Sequence, residues 1–167
     1  INGLSSDPLA SFRITTPANK QDSTLDGWEF NVQHVFGETG FGVAANYTIV
    51  DSPDLNYDNA VIASAGTNQF ALVGLSDSAN LVLFYEKYDW SVRTAYNWRD
   101  QFLSAVFDGS GIPNPNYVDD YGQLDISIGY QINDQMSVQF EGINLTDETV
   151  RVFGRNERQT LFATQNG

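Results

Sequence analysis

Cysteine is absent from the 167 residues, basic side chains are scarce at 8 Lys+Arg against 21 Asp+Glu, and the longest apolar run, Leu81 to Tyr85, is five residues. Without cysteine the fold is no disulfide-stapled scaffold. A formal charge of −13 argues against a nucleic-acid partner, because phosphate binding needs a basic surface that releases counterions. A transmembrane helix needs about 20 apolar residues, so only strands could cross a bilayer. The chain starts at Ile1 with neither a basic n-region nor an apolar h-region, so a targeting segment is expected to have been removed or to lie outside it. Length suits one domain of about 150 residues, although a fragment is a live reading from the first residue.

What is present favours sheet. Charged residues make up 17%, below the roughly 25% of soluble domains, and Asn, Gln, Ser, Thr, Gly and 22 aromatics (Trp 3, Tyr 8, Phe 11) fill the deficit. Period-2 alternation recurs, with almost no 3.6-residue stripe. Trp90, Val92, Thr94, Tyr96 and Trp98 face one way; Ser91, Arg93, Ala95, Asn97 and Arg99 face the other. The same rhythm runs through Trp28 to Phe36, Phe41 to Ile49 and Leu124 to Ile132. Seven strands are expected, at about 9–16, 24–36, 41–51, 70–87, 90–103, 121–132 and 136–146.

Tight turns (Gly37 to Gly40, Lys87 to Asp89, Asn133 to Gln135) alternate with long polar links (Pro17 to Ser23, Ser52 to Gln69, Ser104 to Asp120, Asp147 to about Arg158). Antiparallel strands of about ten residues with short turns at one end and long loops at the other have the layout of an outer-membrane barrel. Aromatics fall near both strand ends of the apolar faces: Phe36, Phe41, Tyr88 and Trp90 beside the turns, Trp28, Tyr47 and Trp98 toward the loops. Two interfacial girdles around a lipid-facing band would look like this. Alternation alone leaves open a soluble β-sandwich or lipocalin-like barrel with the apolar face turned inward.

Particular words add to the pattern. Phe140-Glu-Gly-Ile-Asn-Leu-Thr-Asp-Glu148 resembles the penultimate strand of TonB-dependent outer-membrane receptors. Gly27-Trp-Glu-Phe-Asn-Val-Gln-His-Val-Phe36 and Gly40-Phe-Gly-Val-Ala-Ala-Asn-Tyr-Thr48 resemble other strands of the same family. Ser76-Asp-Ser-Ala-Asn-Leu81, Tyr85-Glu-Lys87 and Ser91-Val-Arg-Thr-Ala-Tyr-Asn-Trp-Arg-Asp100 are similar to its proteobacterial, carbohydrate-associated branch. The resemblance implies an all-β fold: about seven strands of a 22-stranded, plugged transmembrane barrel, with residues 1–167 forming its C-terminal part and the plug, TonB box and final strand lying outside. It implies a Gram-negative outer-membrane location among lipid and lipopolysaccharide. It further implies uptake of a scarce nutrient, an oligosaccharide or alternatively a ferric siderophore, driven by TonB and its inner-membrane ExbB/ExbD motor.

Other signals are weaker. Asn46-Tyr-Thr48 and Asn144-Leu-Thr146 fit the glycosylation sequon but fall in or at the end of strands. Asp54-Leu-Asn-Tyr-Asp58 starts like a calcium loop, yet position six is Asn59 and position twelve Ala65, where Gly and Glu are required. His34, the single histidine, has no partner for a zinc site and reads as interfacial. Glu29, Glu86, Asp125 and Glu141 could be imagined as a glycosidase pair, but isolated carboxylates line a wet lumen equally well, and neither a nucleophile elbow nor a phosphate loop occurs. No catalytic residue, metal or cofactor is expected. The candidate ligand contacts are Arg93, Asn97, Arg99 and Asp100 on the polar strand face and its outer end, with loop aromatics Tyr57 and Tyr117 for stacking; for each arginine, pairing with inward carboxylates is an equal alternative.

Overall fold

The structure is a computed structural model that describes residues 21–60, 69–107 and 113–165; the strand expected at 9–16 lies outside them. Its first sheet contains β1 (Asp26–Val35), β2 (Phe41–Asp51), β3 (Ser78–Lys87), β4 (Trp90–Arg99), β7 (Tyr121–Asn133) and β8 (Met136–Gly142), hydrogen-bonded in that order. A second sheet contains β5 (Phe102–Phe107), β6 (Pro113–Val118), β9 (Thr149–Phe153) and β10 (Thr160–Gln165), in the order β10-β9-β6-β5. Every pairing is antiparallel.

Register decides what alternation alone could not. Residues directly opposite in an antiparallel pair share a face, and Trp28 opposes Ile49, Tyr47 opposes Ala79, Leu81 opposes Tyr96, Thr94 opposes Ile126 and Ile128 opposes Phe140. All six apolar sets therefore coincide on one side of the sheet. On the other side Asn46 opposes Asn80, Asn80 opposes Asn97, Asn97 opposes Gln123 and Ser127 opposes Glu141. The apolar side is open: Trp28 is 72% exposed, Leu83 50% and Phe140 67%. A sandwich would lay a second sheet over these side chains, and none of the described residues does so. In water this surface would be an aggregation site; in a bilayer it is the lipid contact. Ten-residue strands rising about 3.3 Å per residue and tilted as barrel strands are cover an apolar band about 25 Å tall.

At the turn end, rings meet across strands and along one of them. Phe41 and Tyr85 lie 4.6 Å apart, as do Trp90 and Tyr130, and His34 meets Phe36 edge-on at 4.7 Å. His34 thus lies on the apolar side beside the turn, opposite Val43. Turn chemistry fixes this end. Tyr88 and Asp89 both have positive φ (53° and 66°), the backbone of a two-residue type I′ hairpin whose twist matches the strands. Between β1 and β2, Gly37 and Gly40 supply the positive φ angles and Thr39 Oγ1 donates to Phe36 O at 2.6 Å.

The outer end differs from the expectation in three places. The strand expected from 70 starts only at Ser78: Asp77 Oδ1 accepts from Val50 N at 2.9 Å, replacing the backbone partner β3 would offer there, and Gly74 (φ +79°) turns the preceding chain away. The link 104–120 contains β6 and most of β5, which continue the β4–β7 hairpin beyond a break at 100–101 and 119–120. The link after Asp147 contains β9. It follows β8 across the Asn144-Leu-Thr-Asp147 kink and pairs with β6, and β10 adds the fourth strand.

Candidate functional site

A small apolar core is buried at the outer end: Leu103 is 5% exposed, Phe153 2%, and Pro115 is enclosed. Around this small core the chain segments before β3, after β4 and after β9 converge. Ser52, 4% exposed, caps the short helix Pro53–Leu55 by accepting from Asp54 N and donates to Thr24 O at 2.6 Å. Leu72 N donates to Asp54 O at 2.7 Å and Gly74 N to Leu103 O at 2.8 Å, so residues 72–77 form a wall between the helical turn and β5.

Between them opens a cup of about 480 Å³, lined by Tyr57, Asn59, Ser76, Asp77, Asp100, Gln101, Phe102, Tyr117, Phe153, Arg155 and Glu157 among others. Its size suits a small polar ligand. Tyr117 stacks on Phe153 with ring centroids 5.4 Å apart and donates its hydroxyl to Asn59 Oδ1 at 3.1 Å. Burial pushes the Tyr117 hydroxyl above its ordinary 10.0, so it stays a neutral donor throughout the physiological range. One side of the ring pair is fixed by Arg151, which donates Nε to Asp119 Oδ2 at 2.7 Å, pairs a second nitrogen with the same oxygen, reaches Glu157 O at 2.8 Å and lies 5.0 Å from the Phe153 ring.

Of the six residues singled out in the sequence, Tyr57, Asp100 and Tyr117 meet in this cup. Arg99 stands behind it: Nη2 donates to Gly74 O at 2.6 Å, Nε to Ser76 Oγ at 3.1 Å, and the guanidinium lies 3.8 Å from the Phe102 ring centroid. Arg93 and Asn97 lie further down the polar face, beside Asn80, Asp125, Ser127 and Glu141 in a separate open depression. There Asn80 donates to Asn97, Gln123 Nε2 to Asp125 Oδ1 at 2.7 Å and Gln139 Nε2 to Glu141 Oε1 at 2.7 Å. Neither arginine forms an ion pair with a carboxylate among the described residues; that pairing alternative is not what the strands adopt. The carboxylates imagined as a glycosidase pair do not converge in the cup: Asp125 holds Asn144 N at 2.9 Å, and Glu141 belongs to the amide ladder.

Asn59, Gln101, Phe153, Arg155 and Glu157 were not singled out from sequence. Their signal is weak because they sit in links whose folding depends on β6 and β9, strands too short and too proline- or charge-broken to be read in advance. Asn144 has the opposite history, since the Asn-Leu-Thr-Asp word was legible and its role is structural. Asn144 has φ 54°, is 8% exposed, donates Nδ2 to Glu148 O at 3.0 Å and accepts from Glu148 N at 2.8 Å. Thr146 Oγ1 donates to Gly122 O at 2.9 Å, so the kink is pinned to β7, and the buried, doubly bonded Asn144 does not resemble a glycan acceptor.

A family model described as TonB dependent receptor-like, beta-barrel matches residues 2–145. No curated protein and no solved structure matches the chain.

Proposed function

Because the chain belongs to the TonB-dependent receptor β-barrel family, whose members are outer-membrane receptors and transporters and not enzymes, we propose that it forms part of the wall of a receptor that takes up an oligosaccharide. The six-stranded sheet supplies lipid contact on one side and a wet lumen on the other. Further barrel staves and a plug close the lumen, and a TonB box draws on TonB and the ExbB/ExbD motor. Outward strand ends meet lipopolysaccharide. The cup is the first contact for ligand, with Tyr57 and Tyr117 stacking on sugar faces and Asp100 accepting from hydroxyls; Arg93 and Asn97 meet the solute later, in the lumen.

One observation carries the choice of ligand. Three carboxylates, Asp77, Asp100 and Glu157, line the cup against the single cation Arg155, with amides and aromatic rings between them. That mixture hydrogen-bonds and stacks on neutral polyols, and its charge opposes an anionic ferric complex.

The full receptor, purified in detergent, tests this by calorimetric titration with neutral cello-, xylo- and maltohexaose and with ferric siderophores. Binding of a hexasaccharide, weakened about tenfold by Tyr57→Ala or Tyr117→Ala, is the expected result. Binding confined to ferric siderophores would reject the sugar assignment.

A further inference from the structure

Arg99 sits where a ligand-binding arginine would be sought, at the outer end of the polar face and next to Asp100. Two of its five N–H donors are nevertheless held by the protein, and Arg99 is not among the residues that line the cup. The Nη2–Gly74 O bond (2.6 Å) and the Nε–Ser76 Oγ bond (3.1 Å) grip the 74–76 segment at two points, and the guanidinium lies 3.8 Å from the Phe102 ring centroid. Gly74, Ser76 and Phe102 are not independent features. Ser76 and Phe102 both line the cup, and Gly74 precedes the part of the wall, Leu75, Ser76 and Asp77, that enters it. A planar fork of donors that also stacks can hold one chain segment at two points and a ring in one arrangement, which a point-charge ammonium cannot do.

The rest of the wall is fastened only lightly. Leu72 N, Gly74 N and Asp100 N donate to Asp54 O, Leu103 O and Asp77 O at 2.7, 2.8 and 3.0 Å, and Val50 N donates to Asp77 Oδ1 at 2.9 Å. Residues 69–77 form no strand, so among the described residues these single bonds and those from Arg99 are the hydrogen bonds that tie 72–77 to their neighbours. Gly74 has φ +79° and open space where a side chain would be, so packing around Gly74 does not hold the turn in place.

We propose that Arg99 is a positioning residue: it clamps the 74–77 wall onto β4 and Phe102 and thereby sets the shape of the cup, without itself touching the ligand. Its effect on affinity rests on the cup being the ligand site proposed above; its effect on the wall does not.

The two parts are separated by measuring the full receptor in detergent in two ways, by amide hydrogen exchange without ligand and by titration with the hexasaccharide and siderophore panel. In Arg99→Ala the amides of Leu72, Gly74 and Asp100 exchange at least tenfold faster than in the parent, and affinity for whichever panel compound binds falls about tenfold, as expected for hydrogen bonds from a charged donor. Arg99→Lys fails to restore either quantity, because one ammonium cannot reproduce both bonds and the stacking; a direct ionic contact with ligand would survive that change. Ser76→Ala, which removes one prong and leaves β4 untouched, gives a smaller loss in the same direction. Unchanged exchange in Arg99→Ala, or full rescue by Arg99→Lys, would overturn the clamp. Faster exchange with unaltered affinity would retain the clamp's hold on the wall but reject its role in recognition, and would count against the cup as the ligand site.

Discussion

Single residues at the outer end perform jobs that their type does not announce. Asn144 was visible as part of a strand-ending word, but what makes it necessary is its left-handed backbone together with an amide that bonds Glu148 on both sides. Ala has neither the tolerance for φ 54° nor the amide, so Asn144→Ala should destabilise the kink by about 2–4 kcal/mol. Limited proteolysis of the full receptor in detergent should then cut near residue 147, where the parent resists. Tyr117 offers a pH test. Its folded-state pKa is raised by burial, so the folded state keeps the phenol proton that the unfolded chain gives up near 10. The stability this confers is complete below pH 10 and is lost as pH climbs from 10 through the folded value. Tyrosinate absorbance of the parent minus that of Tyr117→Phe should accordingly appear above pH 10; a difference already developed below 10 would contradict the burial account.

At the scale of strands, the sequence was most readable where both faces are regular. β1, β2, β4, β7 and β8 fall close to their expected places, because one side must be apolar throughout and the period of 2 leaves little room for error. β3 was drawn too long, since the apolar residues 70–73 alternate no worse than those after 78; what stops the strand is Asp77 occupying the Val50 amide, a contact between residues far apart in sequence. β6 was missed for a different reason. Pro113-Asn-Pro-Asn-Tyr-Val118 has two prolines, which demote any strand reading, and it forms only because β5 and β9 flank it. The register makes a sharp prediction at this scale. Thr94 lies on the apolar side between Leu83 and Ile126, and its neighbour Ala95 on the polar side between Val82 and Asp125. Thr94→Arg should cost about 2–4 kcal/mol and Ala95→Arg far less, read as urea resistance of the full receptor refolded into vesicles. Equal penalties would mean that the two faces see the same solvent.

For the whole molecule, the features that first stood out as deficits fit together. Few charges and many aromatics are what a sheet needs when one side touches hydrocarbon and its rims touch headgroups. The −13 charge collects away from that side: Asp51, Asp54, Asp58, Asp77, Asp100 and Glu157 all sit at the outer end, three of them around the cup. Fold class and face polarity were thus legible in composition and period. The cup was only half legible, since Tyr57, Asp100 and Tyr117 are the kinds of residue that bind sugars, whereas the wall and its Arg99 clamp depend on contacts that no local pattern encodes.

The central claim is that the side carrying Trp90, Val92, Thr94, Tyr96 and Trp98 faces lipid. The absence of cysteine from the chain makes a spin-label scan straightforward: single cysteines at each position of β4, from 90 to 99, in the full receptor reconstituted in bilayers. The account predicts collision with lipid-dissolved oxygen at even positions and with a water-soluble nickel chelate at odd ones. The opposite phase, or no alternation, would contradict it.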